Sequence, residues 1–248
     1  MKKCGVTPVR AVALAAALVA GQASAATYVF RETTGYDTGG ATIRSDDPST
    51  GIVGAVTPPT DTIIAGTTGT IVLHGLFEFD LSAIEAEAAG NPFTIDSVTL
   101  SLRTSSTAGS GGTALNFQLS LLGANLDFDE STVNWTNAPG AEGGLAGTLL
   151  SSESFVPNAT NQTRTFGSTS AFQSAVANAL ANDPDNTIRL FLETESGSGF
   201  ARFLSDENAT ESNRPTLTVN YTVVPEPSTG VAVVGGLALL AGLRRRNR

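Results

Sequence analysis

Apolar and polar side chains alternate with a period of two through the middle of the chain, the mark of strands with one buried face. In IVLHGLFEFDL, the residues Ile71, Leu73, Gly75, Phe77, Phe79 and Leu81 fall on one side, and His74, Glu78 and Asp80 on the other. SVTLSLR gives Val98, Leu100 and Leu102. ALNFQLSLL sets Leu115, Phe117, Leu119 and Leu121 against outward Asn116, Gln118 and Ser120, and TLTVNYTV gives Leu217, Val219, Tyr221 and Val223. Glycine and polar clusters separate the runs, notably TAGSGG before Thr113 and the 45–69 stretch with Pro58 and Pro59. STSAFQSAVANALAND has a different period: Phe172, Ala175, Val176, Ala179 and Leu180 recur at helical spacing, with Ser168 or Ser170 as N-cap and Pro184 beyond the end. Many strands with a single short amphipathic helix predict an all-β chain. The expected architecture is a two-sheet antiparallel β-sandwich of jelly-roll type, with the helix across one end or edge.

Both ends of the chain depart from this pattern. Lys2, Lys3 and Arg10 precede the apolar stretch Ala11 to Ala20, and Ala23-Ser24-Ala25 supplies the small residues of a secretory cleavage site, so residues 1–25 read as a signal peptide. Cys4 precedes that site and is the only cysteine, so the expected exported chain holds no disulfide. At the other end, Gly230 to Leu243 carries no charge, yet its 14 residues would span only roughly 21 Å as a helix, against a hydrocarbon core of about 30 Å. Pro225 and Pro227 block extension backwards, and Arg244, Arg245, Arg246 and Arg248 follow as positive-inside charge. Residues 224–248 therefore read as a membrane stop with a short transmembrane helix, and residues 26–223 as one outward-facing domain.

Charge narrows the partners. From Ala26 to Val224 seven arginines and no lysine stand against 22 acidic residues, a net charge of −15 compared with −9 for the whole chain. Such a surface repels nucleic acid and anionic lipid, so neither is an expected partner of the domain.

The order Val224-Pro225-Glu226-Pro227-Ser228, an apolar run and an arginine cluster resembles the PEP-CTERM sorting signal of Gram-negative bacteria that export polysaccharide. The resemblance implies recognition by an exosortase, cleavage near Pro225, Glu226 and Pro227, and transfer of the domain to the cell envelope or extracellular matrix. A second resemblance covers most of residues 27–223. GLFEFDLSAI, SVTLSL, DFDESTVNWTNAP, the alanine-rich helix, TIRLFLE and RPTLTVNY follow one another as in the DNRLRE domain family, which is related to carbohydrate-binding module family 96. It implies a β-sandwich that associates with extracellular polysaccharide, alginate being the glycan connected with that module family.

Little in the chain points to catalysis. His74 is the sole histidine and reads as a solvated strand residue near Glu78, and no serine or cysteine has the setting of a nucleophile. No catalytic residue is assigned, and the chain is expected not to be an enzyme; a secreted polysaccharide-acting enzyme, or a surface structural or adhesive protein without sugar binding, stands as the alternative. Trp135 shares a strand face with Val133 and reads as core or rim packing, or else as a sugar-stacking platform; Tyr28, Tyr36 and Phe191 are further platforms. Acidic loops offer oxygen ligands for a structural calcium ion: Asp46 with Asp47, then Asp127, Asp129 and Glu130, and Asp206 with Glu207. Solvated charge is the alternative reading of all three. With no lysine and scattered arginines, the domain is expected either to take a neutral glycan or to bind an acidic polysaccharide only through calcium held by loops such as Asp127, Asp129 and Glu130.

Overall fold

In the computed structural model of the chain, the described residues are 23–31, 38–46, 62–123, 125–129, 132–138 and 147–224. Along them run β1 (Ser24–Phe30), β2 (Thr38–Arg44), β3 (Thr62–Thr68), β4 (Ile71–Asp80), α1 (Ser82–Ala88), β5 (Phe93–Arg103), β6 (Leu115–Leu121), β7 (Leu149–Phe155), β8 (Thr163–Phe166), α2 (Ser170–Asn182), β9 (Thr187–Thr194), β10 (Gly199–Leu204) and β11 (Thr216–Val223). The strands form a four-stranded sheet in the order β1-β11-β5-β8 and a seven-stranded, curled sheet in the order β10-β3-β4-β9-β6-β7, with β2 on the free side of β4. All the pairings are antiparallel. The all-β sandwich expected from the alternation is the fold that forms.

One hydrophobic core fills the space between the sheets. Phe30, Val98, Leu100, Leu102, Phe166, Leu217, Val219 and Tyr221 from the small sheet meet Phe77, Phe79, Phe117, Leu119, Leu190, Leu192 and Phe203 from the large one. Phe117 and Phe155 stack at 4.2 Å between centroids, and Phe203 sets its edge against both. Each such side chain contributes about 1.5–3 kcal/mol on burial, so packing holds the described fold without a crosslink. The curl of the large sheet depends on glycine: a Cβ on Gly40 or Gly75 would come within 2.5 or 2.7 Å of the Ile63 side chain, which lies across both.

α2 packs Phe172, Ala175, Val176, Ala179 and Leu180 inward, the five positions its spacing predicts. Its N-cap is Thr169 rather than Ser168 or Ser170: Thr169 Oγ1 accepts from Phe172 N at 3.1 Å. Ser168 instead accepts from Val98 N and ties the helix to β5.

The expectation of one helix is corrected by α1, a second short helix directly after β4. Asp80 Oδ1 accepts from Ser82 N at 2.7 Å, Ile84 and Ala88 turn inward, and Ala89 with φ 50° ends the helix in the left-handed conformation. Two helical turns carry only two apolar contacts, too few to stand out as a periodic pattern beside the strand that precedes them.

A further correction concerns the polar side of β4. His74 and Leu76, on the face opposite Phe77 and Phe79, are buried and Glu78 is half-buried, because Leu122, Phe128, Val133, Trp135 and Ala138 pack on that side. A second, smaller core lies there, made of Ala41, Ile43, Leu76, Leu122, Val133, Ala138 and Phe191, with Phe128 and Trp135 packed at its rim. The same cover buries Ser120, which the alternation places outside.

β1 begins at Ser24, two residues before the expected start of the mature domain, and Ser24 pairs with Val223 at the end of β11. Val224 N donates to Pro92 O at 2.8 Å, so the fold extends to the first residue of the expected sorting signal. Pro225, Glu226, Pro227, Ser228, Arg244, Arg245 and Arg246 lie outside the described residues, as does the expected signal peptide up to Gln22. No helix among the described residues is long and apolar enough to cross a membrane.

Candidate functional site

Trp135 sits in a turn rather than on a strand, and two asparagines shape that turn. Asn134 Oδ1 accepts from Thr136 N, Asn137 N and Thr136 Oγ1, while Asn137 Oδ1 accepts from Asn134 N and Asn137 Nδ2 donates to Thr132 O. Asparagine side chains that bond the backbone a few residues away replace the ladder a strand would need. Val133 N and Ala138 N donate four residues back, to Asp129 O and Asn134 O, which turns Val133 and Ala138 inward. The half-buried Trp135 ring lies 5.2 Å from the His74 ring, and Phe191 closes the other side of His74 at 5.9 Å. Trp135 thus packs at the rim of the second core while part of its ring stays exposed.

His74 is therefore a core residue and not a solvated one. Burial pushes its pKa down from 6.5 to about 4, so the ring is neutral at pH 7. Nε2 lies 3.4 Å from Glu193 Oε2, and Nδ1 is buried without a hydrogen-bond partner. A neutral ring with its proton on Nε2, facing the carboxylate, leaves only a lone pair unsatisfied and is the less costly tautomer.

Arg189, the third residue of β9, holds the other half of the loop. Its guanidinium is 4% exposed and meets Glu78 at 3.0 Å, Asp183 at 2.8 Å and Asp127 at 3.2 Å. Its backbone N donates to Asn125 Oδ1, and Asn125 Nδ2 bridges to Asp183 and to Thr187 O. Burial pulls the guanidinium's pKa down, but the charges of Glu78, Asp183 and Asp127 outweigh it and raise it above its ordinary value. Burial would likewise raise the Asp183 carboxyl; the N–H groups of Thr187 and Asp185 and the Arg189 charge reverse this and hold it below the usual range. The one detectable signal was an arginine flanked on both sides by apolar residues in TIRLFLE, a run too apolar for a strand with a wet face.

The acidic residues expected to hold calcium separate into different settings. Asp127 is engaged by Arg189, Asp129 is exposed, and Glu130 lies outside the described residues. Asp46 pairs with Arg44, whose hydrogen bond and charge pull its carboxyl below the usual range, and Asp47 lies outside the described residues. Asp206 is buried and Glu207 exposed in the turn after β10. Among the described residues no group of three or more acidic, histidine or cysteine side chains converges as a metal site. Tyr28 stacks on Phe30 at 4.8 Å and packs partly buried against the main core; Phe191 is buried, and Tyr36 lies outside the described residues.

The fold also gathers arginines that lie far apart in sequence. Arg44 and Arg189 pair with carboxylates as described, and Arg164 with Glu153 at 3.8 Å, but Arg31, Arg103 and Arg202 make no ion pair among the described residues. Arg31 follows Phe30, the partner of Leu217, and its Nε donates to Thr216 Oγ1 at 2.8 Å. Thr216 pairs with Ser101, two residues before Arg103. Phe203 bridges Thr104, and Ser105 N donates to Arg202 O. Phe30, Leu102 and Phe203 point into the core, so Arg31, Arg103 and Arg202 alternate outward around one corner, where β5 ends and β11 begins. Arg202 stacks 5.2 Å over Phe200 at its margin.

No protein-family profile matches this chain, and no curated protein matches it in sequence.

Proposed function

We propose that the protein is an exported, non-catalytic β-sandwich that is sorted by an exosortase to the envelope or extracellular matrix of a Gram-negative bacterium and associates there with acidic exopolysaccharide. The observation that carries the glycan reading is the arginine corner. In a domain of net charge −15, three arginines with no carboxylate partner among the described residues form the place where an anionic chain is least repelled. Direct contact there replaces a calcium bridge at the 127–130 loop, because Asp127 already faces Arg189. The non-catalytic reading is supported by the sole histidine, which is walled in by Trp135 and Phe191 and serves packing.

The test is calorimetric titration of the secreted domain with alginate and with a neutral glycan, each in calcium and in excess chelator. Alginate should bind in chelator, more weakly as salt rises, and the double variant Arg31→Ser/Arg103→Ser should lose about tenfold in affinity, about 1.4 kcal/mol. Binding that needs calcium, or that the double variant leaves intact, overturns the corner as the site. No binding to either glycan leaves a surface structural role in its place.

Retention is expected to reside in the tail. A stop codon after Val224 preserves the last hydrogen bond of the fold and should release a folded domain into the medium. A truncated protein as firmly cell-bound as the full chain would remove the sorting reading.

A further inference from the structure

Sheet edges expose unpaired backbone donors and acceptors, and secreted β proteins guard them with charge, proline, bulges, short strands or a covering segment. The edges of this sandwich are unequally guarded. β10 is covered by the chain at Thr104 and at Ser110, whose backbone exchanges two hydrogen bonds with Phe200. β7 carries Glu153 in an ion pair with Arg164, has a register shift against β6, and gives Leu150 O to the Thr169 cap of α2. β8 is only four residues long and contains Arg164. β2 ends in Arg44, which pairs with Asp46 just beyond it, and Thr42 Oγ1 accepts from Ile64 N.

Among the described residues β1 has none of these devices. Its sequence SAATYVF contains no charge, glycine or proline, it pairs with β11 over seven residues without a shift, and Val29 on its outward side is 49% exposed. We infer that β1 is a self-association edge, at which a second copy of this chain adds its own β1 antiparallel across a two-fold axis and joins two four-stranded sheets into one of eight. A second copy is the occupant because an antiparallel edge is complementary to itself about a dyad. Charge points the same way. Two domains of net charge −15 repel almost wherever they meet, and this strand brings no acidic residue to the contact.

Removal of residues 1–25 would leave Ala26–Phe30, still an ordinary strand length of about five residues. So short a pairing buries less than the ~1,200–2,000 Å² of stable interfaces, so the dimer is weak and concentration-dependent. Its formation does not rest on glycan binding.

Sedimentation across a concentration series tests this on the secreted domain, residues 26–224, which keeps every core side chain from Phe30 to Tyr221. A monomer–dimer equilibrium is expected, weakened at least about tenfold by Val29→Lys, since a lysine on each copy puts like charges across the dyad and guards the edge as natural edges do. Circular dichroism confirms that the variant is folded; should it fail to fold, Thr27→Lys, also on the exposed side, takes its place. A wild-type domain that stays monomeric at its highest soluble concentration, or a dimer that survives a folded lysine variant unchanged, overturns the inference.

Discussion

Arg189→Ala should destabilise the domain by about 3–5 kcal/mol, the usual consequence of removing one partner from a buried ion pair. The cost comes from what is left behind: Glu78 and Asp183 remain in a largely dry setting with no cation, while Asn125 and Asp127 lose the group that holds their loop. Asp127 is 76% exposed and contributes little of this itself. Because Leu122 to Ala138 covers the second core, the loss should spread to Trp135. The chain has one tryptophan, so its fluorescence reports on the loop directly, and a red shift should precede global unfolding in a urea titration. Arg189→Lys keeps the charge but loses the planar fork that reaches several carboxylates, and should fall between the two. An alanine variant as stable as the parent, with unshifted fluorescence, would show that the loop is held by its apolar contacts alone.

Acid should unfold the domain through His74, with about 3 kcal/mol lost between pH 6.5 and pH 4. The direction follows from a depressed folded-state pKa. In the unfolded chain the imidazole returns to 6.5, so as pH falls below that value the unfolded state takes up the proton while the folded ring, near 4, stays neutral. The stability is fully present above pH 6.5 and declines down to about pH 4. Glu193, the titrating group across from His74, acts the other way: burial raises its carboxyl, so the folded state binds that proton first and recovers some stability in acid. The Trp135 and Phe191 rings contribute no charge. His74→Gln should therefore show a flatter decline of the urea midpoint from pH 7 to pH 4. Parallel profiles for the two proteins would mean that His74 is not the acid-sensitive group.

Period-two alternation was enough to find the main core, because Val98, Leu100, Leu102, Leu217, Val219 and Tyr221 lie side by side on the one face of the small sheet that meets the large sheet. It failed on β4, where Phe77 and Phe79 look inward to the sandwich while His74 and Leu76 look into a second core built by a distant loop. Alternation reports one buried face and has no means of announcing that the other is covered as well. Trp135 was legible as a packing residue, yet the turn around it was not, since Asn134 and Asn137 act through backbone bonds that leave no hydrophobic period. Composition shows acidic residues without showing their partners. Asp127 and Arg189 are separated by more than sixty positions, and only the pairing of β9 beside β4 brings Glu78 and Asp183 to the same guanidinium. The arginine corner was hidden for the same reason.

β11 has a place in the molecule that matters once the protein is under load. Its last residue is followed directly by the segment through which the chain would be held, and its first residues lie at the corner where a polymer would be gripped. Tension between those two points would run along the strand, which is paired with β1 over the five positions from Ala26 to Phe30 that remain after removal of residues 1–25, and over eight with β5. A pull in that direction slides β11 between its neighbours, so the hydrogen bonds on both sides resist together and do not open one after another from an end. With the proposed anchor and glycan contact, the sandwich would be oriented to carry force.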